Sequence, residues 1–302
     1  MDGRISNFDQ VASVRRYTIT EGRERGFDVL DCDNGTLRFL LNLSRACDIM
    51  QLYHEGANVS FVSKNGFTSR ETPFAKRFEG GMLYTCGLDN IGAREGYEMH
   101  GTLHNIPAHL TSAVCDERGI RVEAEIRDTA LFGKNLVLRR RITSAVGSGA
   151  LTLEDTLVNE GYRDEKYCIL YHINIGYPML DVGAVIEADV ESCVPRTEWA
   201  RVCEAERFRM GEPVPNKEEC CYFLKLGEPR ISLVNKPLGK RLTVNYSGDT
   251  LPYFVEWKSE GSGDYALGFE PTTTEIDNGF KYSIIGCGES VSLDVKISVE
   301  KI

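Results

Sequence analysis

The sequence is short of positive charge. It has 35 lysines and arginines against 45 aspartates and glutamates, a net charge of −10. A protein that grips phosphate backbones carries a basic field, so the balance argues against nucleic acid as a partner. Long apolar runs are missing too. Residues 1–16 hold no apolar signal-peptide core, and no stretch approaches the ~18 consecutive apolar residues of a membrane span. A soluble, cytoplasmic protein that does not enter a membrane is expected. None of the ten cysteines forms a Cys-x-x-Cys pair, which removes the usual zinc and redox spacings. Buried free thiols are the expectation. The glycine-rich residues 78–92 are not followed by Gly-Lys-Ser/Thr, so they do not form a phosphate loop. Tight bends with a close backbone or ligand fit them better.

What is present is alternation. Leu293, Val295, Ile297 and Val299 fall on one face of an extended chain, with Asp294, Lys296 and Ser298 on the other. Ile120, Val122, Ala124 and Ile126 repeat the pattern. A turn at residues 132–135 then leads into a return strand over 136–142. A further alternating run over 151–157 ends in a turn at 159–161. Helical period is scarce, and residues 197–210 are the best helix candidate. Residues 194–217, with Pro195, Pro213 and Pro215, read as an insertion or lid. Without strand–helix alternation a doubly wound sheet is excluded. The expectation is an all-β chain, a large antiparallel sandwich or barrel with few short helices, forming one domain over 1–302.

Groups suited to proton transfer are few. There are five histidines, and three of them, His100, His104 and His109, crowd into eleven residues rich in glycine and proline, a poor strand interior and a better strand end beside a site. In residues 169–178, alternation puts Tyr171, Ile173 and Ile175 on one face and His172, Asn174 and Gly176 on the other. Glu270 follows an apolar strand and precedes a proline, where partial desolvation raises a carboxyl pKa. Asp89 and Asn90 either project as ligand groups or close a turn.

Taken together, residues 78–92 (FEGGMLYTCGLDNIG), His100-Gly101 with Asn105-Ile106-Pro107-Ala108, residues 172–178 (HINIGYP) and residues 266–271 (ALGFEP) resemble the aldose 1-epimerase, or galactose mutarotase-like, superfamily. They look closest to its poorly characterised branch known only as a domain of unknown function. The resemblance implies a large β-supersandwich with a sugar on a concave sheet face. It implies that Glu270 is the general base, that His172 is the general acid and that His100 holds a sugar oxygen. Arg77 would bind substrate, with Asp89, Asn90, Asn105, Asn174 and Lys258 as further contacts. Trp257 either stacks on the sugar or belongs to the core. The acidic residue that the family places between the second histidine and the base has no clean match, and Glu218 and Glu219 are its nearest candidates.

The implied activity is interconversion of sugar anomers. A cyclic aldose opens when its anomeric O–H loses a proton and its ring oxygen gains one, so a base and an acid must flank two neighbouring atoms. No cofactor and no metal is called for. The unperturbed values, about 4.3 for Glu and 6.5 for His, leave a narrow working window. Burial is expected to raise the first and a neighbouring carboxylate to raise the second. The expected partner is a small sugar or sugar derivative, and a homodimer is allowed. Two rivals stand beside this reading. One is a non-catalytic carbohydrate-binding or sugar-sensing protein on the same fold. The other is a cupin-like metalloenzyme using His100, His104 and Glu270, although on a strand His100 and His104 would stand about 13 Å apart at ~3.3 Å per residue.

Overall fold

Alternation becomes strand over most of the chain. Among residues 2–70 and 72–302, which the computed structural model describes, every strand pairing is antiparallel. A five-stranded sheet runs in chain order through β1 (Ser13–Thr18), β2 (Asp28–Asp33), β3 (Leu37–Asn42), β4 (Asp48–His54) and β5 (Ala57–Asn58). The larger sheet has 13 strands. They are β6 (Tyr84–Leu88), β7 (His109–Asp116), β8 (Gly119–Thr129), β9 (Asn135–Ser144), β10 (Ala150–Asn159), β11 (Glu165–Ile175), β12 (Val185–Pro195), β13 (Cys220–Asn235), β14 (Lys240–Tyr246), β15 (Tyr253–Gly261), β16 (Asp264–Thr272), β17 (Ser283–Ile285) and β18 (Ser290–Lys301). Their order is β17-β11-β16-β15-β13-β14-β18-β10-β9-β8-β7, with β12 on β13 and β6 on β11.

The core lies where the small sheet covers part of the large one. Leu30, Phe39, Leu41 and Leu52 from the small sheet share one apolar cluster with Ile126, Leu138, Leu153 and Ile297 from the large. The inward residues of β8 and β18 are those the alternation selects: Ile120, Val122, Ala124 and Ile126, and Leu293, Val295, Ile297 and Val299. The turn between β8 and β9 leaves Phe132 96% exposed, so that aromatic adds nothing to the core.

Charge also crosses the core. Arg140 falls on the inward face of β9 with Leu138 and Ile142, and it is fully buried. Its guanidinium donates to Asp155 on β10 at 2.7 and 3.0 Å, to Asp48 on β4 at 2.6 Å and to Thr85 on β6 at 3.0 Å. Tyr171 on β11 donates its hydroxyl to Asp155 at 2.8 Å. Asp48 also contacts His104 Nδ1 at 2.7 Å, while Glu79 contacts His104 Nε2 at 2.8 Å. Burial opposes charge on His104, but Glu79 and Asp48 outweigh it and raise its pKa. This network ties five strands of both sheets together beneath the loops described next.

Two expectations need correction. The helix expected over 197–210 is shorter: α-helix covers Glu198–Cys203 and a 3-10 turn follows at Glu204–Glu206. The chain then turns extended, because Phe208 and Met210 exchange backbone hydrogen bonds with Ile186 and Ala184. The ten cysteines are all free, but Cys115, Cys193 and Cys203 are only half-buried and Cys287 is exposed. As the strand spacing argued, His104 does not join His100 at one site, since both its ring nitrogens are taken up by carboxylates in the core. No helix among the described residues is long and apolar enough to cross a membrane.

Candidate active site

Three neighbouring strands, β11, β16 and β15, deliver the central groups. The register pairs Leu170 with Thr272 and Ile173 with Phe269, which brackets His172 and Glu270 across β11 and β16. On the next strand Trp257 is opposite Gly268. Period-two alternation sends Tyr171, Ile173, Leu267 and Phe269 into the core, and His172, Gly268 and Glu270 to the other face. His172 Nε2 stands 3.2 Å from Glu270 Oε1. Gly268 makes the room: a Cβ there would lie 2.6 Å from Glu270 Oε1, 3.1 Å from Trp257 Cβ and 3.2 Å from His172 Cε1.

His100 arrives from a loop. Its backbone holds a φ of 62°, and its carbonyl accepts the Gly87 N–H while its own N–H donates to Gly92. Gly101, at φ 76°, lies so close to the Gly87 and Asn90 carbonyls that a Cβ would stand 2.5 Å from each. The His100 Nδ1 accepts the Gly92 N–H at 3.3 Å. In the neutral ring the proton is therefore on Nε2, which is left as a donor. The His100 ring meets His172 edge-on at 5.6 Å and lies 5.2 Å from Phe74.

His100, His172, Glu270 and Trp257 line one cavity of about 170 Å³, together with Arg196 and Glu219. Phe74, Phe78 and Cys221 complete much of its wall. Trp257 is thus a wall residue, with its indole N–H donating to Glu219 Oε2 at 2.7 Å. Arg196 reaches in from the end of the insertion and is held by a two-pronged pair with Asp277, 2.8 Å on each arm.

Electrostatics in this cavity favour neutral groups. Burial, and next the Glu219 carboxylate, push Glu270 well above the usual carboxyl range, with Arg196 opposing. Burial, and next His100, push His172 well below 6.5, with Asn174 opposing. Burial and Arg196 bring His100 down to about 4. The expected rise of His172 beside a carboxylate is thus corrected: its pKa falls, with burial the first cause and His100 the next. Both shifts run toward the neutral forms, a protonated Glu270 carboxyl and an unprotonated His172 ring.

The remaining candidates lie off the cavity. Arg77 pairs with Glu98 at 2.9 Å. Asn90 donates to the Gly92 and Glu98 carbonyls, and Asp89 accepts the Thr102 N–H, so both brace the loop that carries His100. Asn105 accepts from Arg45. Asn174 shares the His172 face but donates to the His172 carbonyl and is fully buried. Lys258 sits on the opposite face of β15 from Trp257 and donates to the Glu206 and Arg209 carbonyls. There it joins Glu256, which binds Arg207, and Glu260, which binds Lys217, in clamping the insertion to the sheet. Of the two acidic candidates, Glu219 reaches the cavity, whereas Glu218 uses its carbonyl to hold Trp199. Sequence reasoning missed Arg196, Cys221, Phe74 and Phe78. The available signal for Cys221 and Glu219 was their shared face on an extended chain.

The family described as Domain of unknown function (DUF4432) matches residues 24–282. No curated protein matches the chain. Among solved structures, a candidate aldose 1-epimerase from Klebsiella pneumoniae superposes with a TM-score of 0.87 at 20% identity, covering 97% of this chain and 86% of that one. A galactose mutarotase-like protein from Clostridium acetobutylicum gives 0.73 at 12% identity, covering 97% and 100%. A candidate mutarotase from Salmonella typhimurium gives 0.70 at 12% identity, covering 99% and 96%. At these identities the likeness establishes the fold, a galactose mutarotase-like β-sandwich.

Proposed function

The chain belongs to the DUF4432 family, and on that premise we propose that it is an aldose 1-epimerase-like isomerase that interconverts sugar anomers by acid/base ring opening and closure. The observation that carries the reading is the 3.2 Å approach of His172 Nε2 to Glu270 Oε1 in a cavity walled by Trp257 and capped by the His100 donor. The pair holds one proton. With it on His172, Glu270 takes the anomeric hydroxyl proton and His172 protonates the ring oxygen, so the C1–O5 bond breaks as the aldehyde forms. The enzyme is then left with protonated Glu270 and neutral His172, the arrangement that burial favours. Rotation about C1–C2 and closure on the other aldehyde face return both protons. Closure itself restores the Glu270 carboxylate and the protonated His172, so the cycle is complete without a cofactor. His100 Nε2–H is suited to holding a sugar oxygen.

A non-catalytic sugar-binding protein is the second reading, and the upward shift of Glu270 by burial favours it, since it works against the carboxylate that a base requires. Polarimetry on a panel of freshly dissolved aldoses separates the two. Accelerated mutarotation supports the isomerase, and binding without acceleration supports the sensor. Residues 1–302 are read as one carbohydrate-active domain, soluble and cytoplasmic, with no metal in its chemistry.

A further inference from the structure

A second cavity adjoins the first. It measures about 510 Å³, three times the catalytic one, and the two share Phe74, Phe78, Glu219 and Trp257. By itself the inner cavity falls below the ~300–1,000 Å³ of ordinary ligand sites, whereas the outer one lies inside that range. Trp257 is the partition. Its ring stands edge-on to Phe61 and Phe78, 6.3 Å from each, and Glu219 fixes its N–H. Beyond it, β15 lays Ser259 and Gly261 on the same face at the strand period. Ser63, Asn65, Asn216 and Ser262 add hydroxyl and amide groups around the opening.

The charges settle what such a lining can hold. Lys64 is paired with Asp264 at 2.6 Å and Lys217 with Glu260 at 2.5 Å. Arg196, in the inner cavity, is paired with Asp277. Each cation lining either cavity thus already has a carboxylate partner, and Glu219 adds negative charge between them. An anionic substituent would have to displace one of these carboxylates. Aromatic faces interleaved with neutral hydrogen-bonding groups instead match a polyol ring, which is apolar on its C–H faces and polar at its rim.

We propose that the outer cavity is a subsite for the second unit of a neutral reducing disaccharide whose reducing-end ring occupies the inner cavity. The proposal rests on the acid/base reading above. The orientation follows from the chemistry: only the reducing end has a free anomeric hydroxyl, so that ring must lie against Glu270 and His172. The glycosidic link then passes Trp257.

The test measures anomer exchange by saturation-transfer NMR for glucose, galactose, glucose 6-phosphate, cellobiose, maltose, lactose and melibiose. The expected result is a kcat/KM for at least one disaccharide about tenfold or more above that of either monosaccharide, a difference of about 1.4 kcal/mol. Glucose 6-phosphate should not exceed glucose. Ser262→Trp fills the outer cavity and should lower the disaccharide-to-monosaccharide ratio by a similar factor, whereas general damage to the fold would lower both rates together. Equal kcat/KM for one- and two-ring sugars, or a ratio that Ser262→Trp leaves unmoved, overturns the subsite. A preference for glucose 6-phosphate overturns its neutral character. If no sugar is exchanged faster than in buffer, the acid/base reading fails, and calorimetric titration decides the subsite separately. Tighter binding of a disaccharide than of glucose, weakened by Ser262→Trp, supports it, and the absence of that difference overturns it.

Discussion

Gly268 and Glu270 share one face of β16, and the space a side chain at Gly268 would need is the space the Glu270 carboxyl occupies, 2.6 Å from the position of a Cβ. The Cβ of Trp257 and the ring of His172 close the other sides of that space, so the Glu270 carboxyl is the group that must give way. Gly268→Ala is expected to displace the acid/base pair by a fraction of a bond length to an ångström. The expected loss in anomer exchange is ~100-fold, the size associated with a misplacement of about 1 Å. Stability should fall by about 1–3 kcal/mol, as for other overpacked sites. NMR exchange rates and urea denaturation of the same preparation check both numbers.

The buried network makes a separate prediction about stability. Arg140→Met leaves Asp48 and Asp155 without their shared cation and should cost about 3–5 kcal/mol, the range for breaking a buried ion pair. His104 gives the pH dependence. Its pKa is raised in the fold, so its contribution is fully present below about 6.5 and is lost as pH rises through the raised value. The stability difference between wild type and His104→Gln should therefore be largest on the acid side of that window and shrink above it. Urea midpoints measured across the range read this directly.

The pH–rate profile should carry the marks of burial. The pair works with one proton bound. A second proton leaves no base, and loss of the only proton leaves no acid, so the profile is bell-shaped. Because burial lowers His172 and raises Glu270, the acid limb follows His172 and the alkaline limb follows Glu270. The unperturbed values would assign the limbs the other way round. Glu219→Gln removes a charge that raises Glu270 and should move the alkaline limb of kcat/KM to lower pH. An infrared band of a protonated carboxyl, present in wild type at neutral pH and absent from Glu270→Gln, identifies which group holds the proton.

Much of the fold was legible because the inward faces of β8, β10 and β18 alternate without interruption. Strand order was not, since antiparallel neighbours such as β11 and β16 lie about a hundred residues apart and nothing local encodes their pairing. Three of the cavity residues were legible because histidine and a carboxylate before a proline are chemically conspicuous. Arg196 and Phe74 were not, because ordinary residues reach the cavity only through tertiary convergence. Naming both Trp257 and Lys258 for one cavity was contradicted by the strand period itself, which sends neighbours to opposite faces. The same rule read forward would have singled out Arg140, flanked by the exposed Arg139 and Arg141 and sharing its inward face with Leu136, Leu138 and Ile142.

The central claim is that Glu270 and His172 exchange protons with the sugar. Glu270→Gln keeps the side chain's size and its place beside His172 but cannot hold the transferred proton. Saturation-transfer NMR between the two anomers of the best-accepted sugar, with affinity followed by calorimetry, tests it most directly. The account predicts a loss of at least ~100-fold in exchange, the usual scale of a general base, with affinity changed far less. Exchange at the wild-type rate in Glu270→Gln would contradict it.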